Sequence, residues 1–158
     1  MVTGEAVADG QPIVVDASAV LGWLVEDPSP SADSPAGVLE RIVAPDEAGR
    51  IRRFHAPALL SFEVTNALVM GERRGRWASE DVAEVLDLLA RWSIETEPAP
   101  DGPTRARIVA ICRTDGLTAY DAAYLELAGR AEATLLTFDR RLAQAATRRG
   151  IGVVGPRT

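Results

Sequence analysis

Four carboxylates in this chain stand where acids are scarce: Asp16, Glu63, Asp121 and Asp139. Asp16 closes the apolar run Ile13-Val14-Val15, and Asp139 follows Leu135-Leu136-Thr137-Phe138. Glu63 and Asp121 each interrupt the apolar stripe of an expected helix. An ionised carboxylate near a core needs a cation or hydrogen bonds to offset its desolvation. Four of them, gathered by one fold, describe a site for a hard divalent metal, which takes oxygen ligands.

Each acid also has a plainer reading. Asp16 and Asp139 could cap the helices that follow them. Asp121, four residues into its helix, gains from the helix dipole, and Glu63 could pair with an Arg of a neighbouring element. Taken singly these readings are sound, but taken together they require four separate explanations. Ser18, Asn66 and Thr137 lie beside the acids as supporting hydroxyls and an amide, groups that usually serve as structural hydrogen-bonders. His55, the sole histidine, reads as a strand residue with nothing to complete a triad.

The elements that must position these groups alternate between strand and helix. Residues 1–11 lack periodicity and read as a flexible tail, leaving 12–158 as a single domain. Strands are expected at 12–16, 52–56, 93–97, 134–138 and 151–154. Helices are expected at 17–25, 36–44, 57–74 with Pro57 in its first turn, 79–92, 104–113, 118–130 and 140–149. The 57–74 helix should turn Leu59, Leu60, Glu63, Asn66, Ala67 and Met70 to one face. The 118–130 helix should do the same with Leu117, Asp121, Tyr124, Leu125 and Ala128, leaving Glu126 on the solvent side. Residues 26–35 (EDPSPSADSP) form a polar loop. Strands separated by helices imply right-handed parallel crossovers, hence a three-layer α/β/α domain around a central, mainly parallel sheet of four or five strands. Ligands of such sheets sit beyond the carboxyl ends of the strands, where Asp16 and Asp139 fall.

Composition sets the frame. The 158 residues suffice for one core, and 47% are hydrophobic, as in an ordinary globular chain. The single cysteine, Cys112, has no partner for an internal disulfide. No run suits a membrane span and the first residues lack a signal pattern, so a cytoplasmic location is the expectation. A net charge of −6 argues against a nucleic-acid binder, but bound divalent ions would reverse the sign around the acids. All 17 basic residues are Arg, which suits bidentate phosphate contact and is equally the product of GC-rich coding.

Four blocks, IVVDASAVLGWL, LLSFEVTNAL, GLTAYDAAYLELA and TLLTFDRRLAQAA, resemble in order the motif blocks of PIN-domain ribonucleases, most closely the VapC toxins of bacterial toxin–antitoxin pairs. The resemblance spans about residues 12–155. It implies catalytic acids at Asp16, Glu63, Asp121 and Asp139, with Ser18, Asn66 and Thr137 supporting them. It also implies Mg2+ or Mn2+ as cofactor, endonucleolytic cleavage of RNA, a homodimer and a cognate VapB-like antitoxin. The chain departs from the pattern in its long 26–36 loop and in the acidic stretch ETEPAPDG at 95–102. Within this frame Asp16 and Asp121 are expected to bind one or two metal ions, with Glu63 and Asp139 completing the shell or holding waters. Arg140 and Arg141 are candidates for RNA contact, or solvated helix-surface residues.

Other functions are weaker fits. A phosphoacceptor or phosphohydrolase site usually recruits a lysine, and this chain has none. A dinucleotide site wants a Gly-rich turn where Ala17-Ser18-Ala19 stands. Two readings remain beside the toxin: a PIN-like RNA-binding module with little or no cleavage, and a housekeeping RNA-processing nuclease.

Overall fold

Among the described residues five short strands form one sheet in which every neighbouring pair is parallel: β1 Ile13–Val15, β2 Phe54–Pro57, β3 Ile94–Glu97, β4 Thr134–Leu136 and β5 Val153–Val154. This computed structural model describes residues 7, 10–22, 35–45, 49 and 52–155. Among the described residues seven helices accompany the strands: α1 Ala17–Gly22, α2 Pro35–Val43, α3 Leu60–Arg73, α4 Ser79–Arg91, α5 Gly102–Asp115, α6 Ala119–Arg130 and α7 Arg140–Arg148. They flank the sheet in a three-layer α/β/α arrangement. One group joins α1 to α2 and α3, and α3 to α4; in the other, α6 lies on β1, β2 and β4 with α5 and α7 beside it.

The strand order is β3-β2-β1-β4-β5. From β1 the chain moves outward through β2 and β3, then crosses back to lay β4 on the other side of β1. The order therefore reverses between β1 and β4, and the carboxyl ends of these two strands border the crevice that such a reversal opens. Val15 pairs with Leu136, and the Asp16 amide donates to the Leu136 carbonyl at 3.1 Å. The two strands thus end level with one another.

The central strands are apolar because both faces are covered. Ile13, Val14, Val15, Leu135 and Leu136 are all completely buried. Each such side chain contributes roughly 1.5–3 kcal/mol of burial free energy. Phe54 on β2 stacks on Trp92, with ring centroids 5.5 Å apart. Helix ends follow local chemistry. Asp101 accepts from the Thr104 amide to start α5, and Gly116, at φ 67°, ends it in the left-handed conformation that glycine tolerates. Gly71 serves by its size, since a Cβ there would overlap the Trp77 ring.

Several expectations need correction. Pro57 does not open a helix. It ends β2, paired with Glu97, and α3 begins at Leu60; a proline suits a strand end as well as a first helical turn. The inward stripe of α3 is Leu60, Val64, Leu68 and Gly71, one step off the expected phase, so Asn66 is exposed and Glu63 only half-buried. Glu126 does not face solvent. It is 5% exposed, because α6 is covered by the sheet on one side and by α5 on the other, burying Tyr124 through Ala128 without a break. Its charge is met by Arg107 Nε at 2.7 Å and Arg130 Nε at 3.3 Å. In the stretch read as a tail, Val7 packs into the core and its carbonyl accepts from Arg52. Residues 23–34, and with them most of the 26–35 loop, lie outside the described residues.

Candidate active site

The first turn or cap of four helices carries one acid each. Asp16 immediately precedes α1, Glu63 sits in the first turn of α3, Asp121 in that of α6, and Asp139 is the N-cap of α7. Three of these helices, α1, α3 and α7, leave directly from the carboxyl ends of β1, β2 and β4. Helix N-termini present unpaired amides and the positive end of the dipole, so they favour ionised carboxylates. That is one reason the fold tolerates four acids in one region.

Asp16 is the centre of a hydrogen-bond network. Its Oδ1 accepts from the Ser18 hydroxyl at 2.7 Å and from the Ala19 amide at 2.9 Å. Its Oδ2 accepts from the Thr137 hydroxyl at 2.7 Å. The two hydroxyls in turn accept backbone amides of the β4–α7 connection: Phe138 N to Ser18 Oγ at 2.8 Å, and Asp139 N to Thr137 Oγ1 at 3.0 Å. Thr137 is completely buried. Gly155 lies so close that a Cβ there would strike the Thr137 carbonyl, a second place where only glycine fits. Ser18 and Thr137 therefore join the ends of β1 and β4 through one carboxylate. Despite three donors, burial pushes the Asp16 carboxyl up to about 6, with the nearby Asp139 charge adding to the rise.

The other three acids are more open. Asp139 is exposed, and its Oδ1 caps α7 by accepting the Leu142 amide at 2.9 Å. Asp121 accepts from the Thr118 hydroxyl at 2.8 Å, while Thr118 accepts the Asp121 amide and caps α6. The capping readings of Asp16 and Asp139 thus hold, but a cap uses one oxygen of each and leaves the charge. Among the described residues Glu63 makes no ion pair with Arg. Its Oε2 accepts from the Tyr124 hydroxyl at 2.6 Å, and its carboxyl is raised by burial, opposed by the Tyr124 bond and reinforced by Asp121. Tyr124 is held far above the ordinary phenol range by burial and by Glu63, with Asp16 and Asp121 adding to the effect. The Asp139 charge thus acts on Asp16 and that of Asp121 on Glu63, while Tyr124 lies within reach of Asp16, Glu63 and Asp121.

Among the described residues no ion pair involves any of the four. Nor do three carboxylates converge closely enough there to enclose a cation by themselves. Of the supporting positions, Ser18 and Thr137 are built into the network. Asn66 instead lines a shallow groove with Leu21, Met70 and Trp77 that none of the four acids borders. Arg140 and Arg141 are exposed on α7, and Arg141 donates to the Gly116 carbonyl at 2.9 Å, closing the end of α5. Reading the sequence overlooked Tyr124 as a polar group. Its place three residues after Asp121, one turn along the same face, was the available signal.

A family model described as PIN domain matches residues 13–148. A curated relative, Ribonuclease VapC3 of Pyrobaculum aerophilum, is 31% identical over 133 residues, covering 84% of this chain and 92% of its own. The crystal structure of PAE2754 from Pyrobaculum aerophilum superposes with a TM-score of 0.59 at 25% identity, covering 91% of each chain. FitAcB from Neisseria gonorrhoeae, at 17% identity, shares the fold alone, with a TM-score of 0.58 over 91% of this chain and 97% of that one.

Proposed function

Because the chain belongs to the PIN-domain family, we propose that it is a Mg2+- or Mn2+-dependent endoribonuclease acting as the toxin of a toxin–antitoxin pair. The observation that carries this reading is Asp16: a carboxylate 5% exposed, at the switch point of a parallel sheet, acted on by the Asp139 charge and paired with no cation among the described residues. The donor set fits a hard divalent ion, since it offers oxygen alone and couples a buried charge to neighbouring charges of the same sign. Mg2+ typically takes one or two carboxylates and keeps several waters, which suits acids that do not close around a point. Asp16 and Asp121 would hold the ion, with Glu63 and Asp139 completing the set through water or a second ion.

Such an ion supplies Lewis acidity, lowering the pKa of a water and offsetting charge on the non-bridging phosphate oxygens. The chain's own residues do the rest. Ser18, Thr137 and the Ala19 amide fix the Asp16 carboxylate in one orientation. Glu63, half-buried and raised by that burial, would accept a proton from an attacking water. Arg140, exposed beside Asp139 in sequence, would meet the RNA backbone. Ribonuclease VapC3 supports RNA as the substrate, and its likeness supports a VapB-like antitoxin as partner. A homodimer would use the apolar groove of ≈ 840 Å³ bordered by Leu59, Phe62, Val109 and Tyr120.

Single-turnover cleavage of RNA with Mn2+ is the test. Asp16→Asn, Glu63→Gln, Asp121→Asn and Asp139→Asn should each reduce the rate strongly, and EDTA should abolish it. Their losses should not add, because the four act as a unit. RNA that is bound but left intact with Mn2+ would reduce the protein to a binding module, and cleavage surviving both Asp16→Asn and EDTA would place the chemistry elsewhere.

A further inference from the structure

Tyr124 stands out as a buried polar group that the helix does not require. Its ring is 2% exposed and fills the core beneath the site, a task phenylalanine would perform equally well. The hydroxyl is the added feature, and it donates to Glu63 Oε2 at 2.6 Å across 61 residues of sequence, joining α6 to α3. No other hydrogen bond or ion pair of the Glu63 side chain occurs among the described residues. A glutamate on the first turn of a helix has three side-chain torsions to settle, and one short bond to a rigid, buried phenol removes most of that freedom. A phenol, with an ordinary pKa of about 10, carries its proton at neutral pH and donates it here to the carboxylate. It is a permanent donor.

We propose that Tyr124 is a positioning residue: its hydroxyl holds one oxygen of Glu63 so that the other is presented to the cation that the four acids bind. The inference rests on the metal-dependent nuclease reading. It assigns α6 two duties one turn apart, a carboxylate at Asp121 and the orientation of its neighbour Glu63 through Tyr124. A donor in this position also divides the roles of the two glutamate oxygens, engaging Oε2 and freeing Oε1.

The test is Tyr124→Phe in the full chain, with Mn2+ alone as the probe and binding followed by the paramagnetic signal of the free ion. Removing a group that orients a ligand typically costs 10–100-fold in metal affinity, so Mn2+ should bind roughly 10-fold more weakly. In single turnover the rate constant should fall by a similar factor, while the KM for RNA stays unchanged, which a general loosening of the core would not produce. The double variant Glu63→Gln/Tyr124→Phe should bind Mn2+ no worse than Glu63→Gln, because the phenol acts only through Glu63. That comparison holds even if Tyr124→Phe lowers the melting temperature. Parent-like Mn2+ binding by Tyr124→Phe, or losses that add in the double variant, would overturn the proposal. Asp16→Asn separates the two levels: if it loses Mn2+ while Tyr124→Phe does not, only the Tyr124 role fails. If neither loses it, the metal reading fails as well.

Discussion

A carboxylate that is buried, hydrogen-bonded at both oxygens and still raised to about 6 spends folding free energy on a charge that no cation among the described residues neutralises. The sign of the effect is fixed by linkage. With the folded pKa above the ordinary 3.8, the folded state binds the proton more tightly. The contribution of Asp16 to metal-free stability is therefore greatest below pH 4 and falls as pH rises through 6. The span corresponds to roughly 3 kcal/mol at about 1.4 kcal/mol per pH unit. Asp16→Asn should recover about 1–2 kcal/mol of this at pH 7.5, less than the whole because the amide cannot accept every donor that the carboxylate does. At pH 4 the variant should show no gain. Urea melts of the metal-free protein at both values check this, and equal destabilisation at the two would refute it. Saturating Mn2+ should reverse the order at pH 7.5, because an ion bound to the folded parent raises its melting temperature by mass action. Thr137→Val is the companion case: it removes a donor to Asp16 and the acceptor of the Asp139 amide inside a closed core. It should cost about 1–3 kcal/mol and slow cleavage.

Elements bring these residues together, and α6 bears the greatest part of the task. It is covered by the sheet and by α5, presents Asp121 and Tyr124 at its N-terminal half, and buries Glu126 farther along. Glu126→Gln should leave Arg107 and Arg130 without their shared carboxylate. Breaking a buried pair in this way costs about 3–5 kcal/mol, reduced here because both arginines are 40–50% exposed and remain solvated. A loss of about 2 kcal/mol in chemical denaturation, with Mn2+ binding intact, is the expected outcome; loss of Mn2+ binding instead would make Glu126 part of the site. Sequence periodicity could not foresee this residue. A helix buried on two sides lacks a solvent face, so one acid among apolar neighbours reads as outward until its arginines, one on α5, are placed. The parallel order was legible, because apolar strands ending in Asp16 and Asp139 and separated by helices admit few arrangements. The caps were legible as well, since an acid at a strand end followed by a helix is a local signal. What escaped was the phase of α3. Leu59, Leu60, Ala67, Leu68 and Met70 allow two stripes one step apart, and only packing against the rest of the core selects Leu60, Val64 and Leu68 over the face bearing Asn66. The bond between Tyr124 and Glu63 escaped for the same reason: it joins two helices whose relative placement is a property of the sheet.

At the scale of the whole molecule, the acids and the exposed apolar residues share helix ends. Phe62 directly precedes Glu63 and Tyr120 directly precedes Asp121; the two are 79% and 64% exposed. With Val109 of α5 they border the groove between α3, α5 and α6. Large apolar side chains gathered this way mark an association surface, and a homodimer closing on itself would use the same patch twice. A second copy seated in the groove would press on the first turns of α3 and α6, the turns that carry Glu63 and Asp121. Dimerisation should thus order the site as well as bury the patch. Val109→Asp tests this without placing a new charge beside the acids in sequence, and at 45% exposure the position should accept a carboxylate with little loss of fold, about 0.5 kcal/mol or less for such surface changes. Sedimentation equilibrium at micromolar concentration should find the parent as a dimer and Val109→Asp as a monomer, with Mn2+-dependent cleavage reduced in the variant and recovering as its concentration is raised. A parent that sediments as a monomer would remove the dimer from the account. A dimer that dissociates with cleavage unchanged would keep the interface but sever it from the acids, leaving each protomer to order its own site through Thr137, Ser18 and Tyr124.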